Sequence, residues 1–72
     1  MCGIVGYVGD RAVTPLLIDG LSRLEYRGYD SAGIAVLENG ALTESKSVGR
    51  LAALEDKLRR RPVNGTRGIG HT

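Results

Sequence analysis

Along this chain the apolar positions switch between strand-like runs and helical periodicity, and each switch marks an element. Residues 2–8, CGIVGYV, are short, rich in β-formers and apolar on both faces, with Ile4 and Val8 on one side and Val5 and Tyr7 on the other. That pattern predicts a strand buried in a layered core. In DRAVTPLLIDGLSRLEYRG, Val13, Leu16, Leu17, Gly20, Leu21 and Leu24 recur at helical spacing. An amphipathic helix is expected, capped at its start by either Asp10 or Thr14, with Pro15 in or near the first turn and Gly28 as its stop.

Two strand-like runs follow, SAGIAVL at 31–37 and ALTESKSV at 41–48, flanking Glu38, Asn39 and Gly40. Asn-Gly between such runs predicts a β-hairpin. GRLAALEDKLRRR then sets Leu51, Leu54 and Leu58 on one helical stripe, while Pro62, Asn64 and Gly65 end it and TRGIGHT reads as entry to another strand. The predicted order is β-α-β-β-α-β, an α+β chain. No repeat or low-complexity linker divides residues 1–72, so they form part of one domain. A sheet ending on an incomplete strand at Thr72 would leave apolar surface and an unpaired edge, so further sequence is expected immediately downstream.

Composition sharpens this picture. A chain of 72 residues, 42% hydrophobic with a net charge of +2, is soluble globular material. A chain so short buries only about 60% of the surface its unfolded form exposes, so an isolated fold usually wants a staple. One cysteine makes no internal disulfide, and one cysteine with one histidine does not complete a four-ligand zinc site, so no metal is expected. No apolar run approaches the roughly 20 residues of a membrane helix, and the N-terminus lacks the basic and apolar regions of a secretory signal. With its free thiol the chain is expected in the cytoplasm, with no membrane partner. The cations of KLRRRP, Lys57, Arg59, Arg60 and Arg61, gather at a helix end where they complement the helix dipole. Without interleaved aromatics they point away from nucleic-acid binding.

The candidate chemistry lies at Cys2. A nucleophilic thiol needs a neighbouring base or positive field to reach its thiolate. If Met1 is removed, Cys2 carries both a thiol and a free α-amine, whose reference pKa of roughly 7.7–8.0 suits proton transfer near neutrality. One residue then supplies nucleophile and base. Gly3 lets a chain segment or substrate approach beside the sulfur. The plain alternative is a small buried hydrophobe. A phosphate cradle is excluded by spacing, because Gly3, Gly6 and Gly9 stand three apart and two lie inside the strand, and no Gly-Lys-Ser/Thr ending follows.

A second polar cluster, LEYRGYDSAGIAV, delivers Tyr26, Arg27, Gly28, Tyr29, Asp30 and Ser31 into the turn after the first helix. Arg27 either holds that corner, by binding carbonyls or Asp30, or joins the Gly28 backbone in a pocket around Cys2. The pocket reading requires the two elements to meet, as they would if the strand of Cys2 lay beside the strand starting near Ser31.

Taken together, Cys2-Gly3-Ile4-Val5-Gly6 and the stretch from Leu24 to Gly33 resemble the class II glutamine amidotransferases, which use an N-terminal cysteine nucleophile. The resemblance covers the whole chain, and GIGHT is similar to the start of the family's next motif. Within the family, LEYRGYDSAGIAV is most similar to the branch that aminates fructose 6-phosphate to glucosamine 6-phosphate. Amidophosphoribosyltransferase-like or asparagine synthetase-like members, or a non-catalytic binding or structural fragment, are the alternatives.

The resemblance implies part of a four-layer αββα sandwich of the N-terminal-nucleophile hydrolase type. It implies glutamine as substrate, Cys2 as nucleophile, Arg27 and Gly28 in the wall of the site, and His71 and Thr72 leading into a glutamine-holding segment. It further implies no cofactor, a homodimeric parent and fructose 6-phosphate bound by domains outside residues 1–72. The family's oxyanion pair is also outside them, and one such donor is worth roughly 10²- to 10³-fold in rate, so these residues alone are expected to be inactive. Asn39-Gly40 has the context of a hairpin turn, and His71 is expected to be structural or simply near the pocket.

Overall fold

The computed structural model describes residues 2–25, 28 and 30–72. The element order is β1 (Ile4–Val8), α1 (Val13–Leu24), β2 (Ser31–Glu38), β3 (Ala41–Val48), α2 (Leu51–Arg60) and β4 (Arg67–His71), as the apolar spacing predicts. The strands form one sheet in the order β1-β4-β2-β3, antiparallel throughout, with both helices on one face.

The hairpin follows from its turn. Asn39 and Gly40 take φ of 51° and 80°, the two left-handed residues of a type I′ turn, which closes on the pair Glu38↔Ala41. Alternation along β2 then sends Ala32, Ile34 and Val36 inward. They meet Val13, Leu17 and Leu21 of α1 and Leu51, Leu54 and Leu58 of α2, which together make the core. The last turn of α2 carries Lys57, Arg59 and Arg60, where cations complement the helix dipole. Lys57 Nζ also donates to the Lys46 carbonyl at 2.7 Å, tying α2 to β3.

Three expectations change. Neither Asp10 nor Thr14 caps α1; the N-cap is Ala12, with no side-chain cap. The loop before β4 secures the helix start instead: Val13 N–H donates to the Gly65 carbonyl at 2.9 Å, and Thr14 Oγ1 donates to the Val63 carbonyl at 2.6 Å. Second, β4 is no unpaired edge. It lies between β1 and β2, with His71 opposite Ile4 on one side and Gly33 on the other. Third, β1 is covered on one face only. Val5 and Tyr7 pack against the core, whereas Ile4 and Val8 are 78% and 80% exposed.

The register places Ile4 and Val8 on an outer sheet face with Ile69 of β4, Leu37 of β2 and Leu42 of β3. All five are exposed. Apolar surface is therefore left open, but over the sheet rather than along a strand edge. Among the described residues, no helix is long and apolar enough to cross a membrane.

Candidate active site

Cys2 stands just before β1 as an exposed free thiol. The next residue is held by β4. Gly3 N–H donates to Thr72 Oγ1 at 3.1 Å, and Thr72 N–H donates to the Gly3 carbonyl at 3.0 Å. This exchange carries the β1–β4 ladder one residue beyond Ile4↔His71, so the peptide linking Cys2 to Gly3 is built into the sheet.

A second element closes on the same place. A Cβ added to Gly3 would lie 2.5 Å from Leu24 Cδ1. Real Cβ contacts are not that short, so with any larger residue at position 3 the Leu24 side chain would have to shift from its place beside the Cys2–Gly3 backbone. The start of β1, the end of β4 and the end of α1 thus converge around one peptide.

The residues expected in the wall of the site, Arg27 and Gly28, follow that helix in the sequence. Arg27 lies outside the described residues. Gly28 is exposed, with φ of 74°, and its N–H donates to the Glu25 carbonyl at 3.2 Å. The α-helix ends at Leu24 with Glu25 as its C-cap, before Gly28, the stop expected for it. The strand of Cys2 does not pair with the strand starting at Ser31, because β4 stands between them. Leu24, four residues before Gly28 in sequence, is the described residue of this stretch that packs on Gly3.

His71 is half-buried and lies on the outer face of the sheet, opposite Ile4 and Gly33. Its Nε2 lies 2.8 Å from the position a Cβ on Gly33 would take, and Lys46 Cγ lies equally close to that point. The ring is accommodated over β2 because Gly33 has no side chain.

Thr72 is the contact that sequence reasoning missed as a holder of Cys2. Its hydroxyl matters only through its partner across the sheet, and that pairing cannot be read until β4 is known to lie beside β1. Among the described residues, no group of three or more His, Cys, Asp or Glu is placed to hold a metal ion. A groove of about 500 Å³ between α1 and α2, lined by Thr14, Ile18, Asp19, Leu58 and Arg59 among others, does not include Cys2.

No family model matches the chain. Individual relatives do. The glutamine–fructose-6-phosphate aminotransferase (isomerizing) of Clostridium perfringens is 60% identical over all 72 residues, and the enzyme of that name from Caldanaerobacter subterraneus subsp. tengcongensis is 58% identical over the same span. The Mesorhizobium japonicum protein of the same name is 57% identical, again over the full chain. In each case the chain spans 12% of the relative's length. Along its whole length, then, this chain matches the N-terminal part of the glutamine–fructose-6-phosphate aminotransferases.

Proposed function

We propose that residues 1–72 are the N-terminal part of a glutaminase domain. In the whole protein, that domain supplies ammonia for the conversion of fructose 6-phosphate to glucosamine 6-phosphate. The observation that carries this reading is the 54–60% identity to enzymes named glutamine–fructose-6-phosphate aminotransferase across the full chain. The exposed Cys2, beside a peptide braced by Thr72 and Leu24, supports it.

The chemistry follows from a cysteine at a chain end. With Met1 removed, the α-amine of Cys2 takes the thiol proton while Sγ attacks the side-chain amide carbon of glutamine. The S–C bond forms, the C–N bond then breaks, and the proton held on the amine leaves with ammonia. Water adds to the resulting γ-glutamyl thioester, the S–C bond breaks, and glutamate departs with the thiol restored. No cofactor enters these steps. Arg27 and Gly28 form part of the pocket wall, and fructose 6-phosphate binds in domains outside these residues.

The exposed apolar face of the sheet supports a further layer packed against it, as the αββα sandwich of N-terminal-nucleophile hydrolases requires. The whole protein is a cytoplasmic homodimer, and residues 1–72 alone are inactive because the oxyanion donors lie elsewhere.

The test is to treat the full-length protein with an electrophilic glutamine analogue and map the adduct by mass spectrometry. Labelling at Cys2 is expected. Labelling elsewhere, or none, overturns the reading, and an active enzyme that keeps Met1 overturns the free-amine mechanism.

A further inference from the structure

We propose that Thr72 is a positioning residue for the Cys2 nucleophile, acting through the hydrogen bond that its hydroxyl accepts from Gly3 N–H. The inference rests on the glutaminase reading above and extends it to a residue that does not touch the substrate. Once Met1 is gone, Cys2 is tied to the protein backbone through a single peptide, the one to Gly3. The orientation of that peptide sets where both Sγ and the α-amine point, since only the Cys2 backbone torsion and χ1 intervene.

Gly3 has no side chain with which to anchor the peptide. Its N–H is instead taken by Thr72 Oγ1 at 3.1 Å, while the Thr72 N–H holds the Gly3 carbonyl at 3.0 Å. That acceptor is a side-chain hydroxyl, so the hold on the Cys2–Gly3 peptide depends on the identity of residue 72. Leu24 closes the inner side of the same peptide but offers no polar partner, so among the described residues Thr72 supplies the polar hold on its N–H.

The experiment compares Thr72→Val and Thr72→Ser in the full-length protein. Valine keeps the shape and the backbone bond but lacks the acceptor; serine keeps the hydroxyl. Loss of one hydrogen bond with misalignment of the reacting atoms is expected to lower kcat for glutamine hydrolysis about tenfold in Thr72→Val. KM for glutamine and the rate of Cys2 alkylation by iodoacetamide should stay within about twofold, because the pocket and the thiol's accessibility are untouched. Thr72→Ser should retain kcat within about twofold. A Thr72→Val enzyme with unchanged kcat, a Thr72→Ser enzyme as slow as Thr72→Val, or a loss confined to KM each overturns the proposal. Labelling of the unmutated protein by the glutamine analogue separates the two levels. Failure to label Cys2 ends the glutaminase reading and this one together, whereas labelled Cys2 with an unaffected Thr72→Val ends this one alone.

Discussion

Leu24 Cδ1 lies 2.5 Å from the point where a side chain on Gly3 would begin, so the end of α1 packs on the start of β1 through the space that glycine leaves open. An added methyl must displace Leu24 or the Cys2–Gly3 peptide. Small misplacements at a reacting centre can cost on the order of 10²-fold in rate. Gly3→Ala in the full-length protein is therefore expected to slow glutamine hydrolysis by about 10²-fold, measured as glutamate release. Adding Leu24→Ala should recover part of the loss. A Gly3→Ala enzyme at the unmutated rate would show that Leu24 simply turns aside.

The β2–β3 hairpin gives a second prediction. Gly40 has φ of 80°, where a side chain is disfavoured by roughly 1–2 kcal/mol. Gly40→Ala should lower stability by about that amount in chemical denaturation, with glutamine hydrolysis unchanged. Asn39→Gly, at φ of 51°, should cost less than about 1 kcal/mol, since glycine accepts this conformation and loses only chain entropy. Equal costs at the two positions would argue against the type I′ turn.

These cases show what was legible. The hairpin is encoded locally by Asn39-Gly40, and the helices by leucines at helical spacing, so both can be read without knowing any long-range partner. The position of β4 cannot. RGIGH carries one aliphatic residue and two glycines, a poor signal for a central strand, yet those glycines are what the packing uses. A Cβ at Gly70 would sit 3.1 Å from Leu21 Cδ1, and one at Gly68 would sit 2.6 Å from the Ala35 carbonyl oxygen. Because β4 enters between β1 and β2, Thr72 arrives beside Gly3 and His71 over Gly33. Cys2 could be singled out from its place in the chain. Its supports depended on strand order.

The start of α1 separates a local from a long-range cap. Thr14 Oγ1 donates to the part-buried Val63 carbonyl, and Thr14→Val removes that bond and leaves the carbonyl unpaired. The expected loss is about 1–2 kcal/mol of unfolding free energy in chemical denaturation. Asp10 is exposed and makes no cap, so Asp10→Ala should change stability by less than about 0.5 kcal/mol. The reverse ranking would restore Asp10 as the cap.

At the other end of the chain's charge pattern, Asp56 pairs with Arg60 at 3.1 Å and Arg59 at 3.4 Å, all three side chains being more than half exposed. Solvent-screened pairs of this kind contribute about 0.3–0.5 kcal/mol each on a helix. Asp56→Asn is accordingly expected to cost no more than about 1 kcal/mol, and the difference should fade as salt is raised. A larger cost that persists at high salt would mean that Asp56 has a buried partner in the full-length protein.

The outer face of the sheet gives the most demanding prediction. Ile69 is 55% exposed at the centre of that face, opposite Gly6 and Ala35 and near exposed Val8 and Leu42. In residues 1–72 alone, a lysine there would meet water and reduce the apolar area, so Ile69→Lys should lower dye binding by the isolated piece. If a second layer covers the face in the full-length protein, the same lysine is buried without a partner, and the expected loss of stability exceeds about 3 kcal/mol. The paired measurement is 8-anilinonaphthalene-1-sulfonate fluorescence of the 72-residue piece and the denaturation midpoint of the full-length protein. The full-length midpoint carries the test, because a lysine on a bare sheet face costs little whereas one under a covering layer costs several kcal/mol. An unchanged midpoint in the full-length protein would leave this face bare and remove the support it lends to a four-layer sandwich.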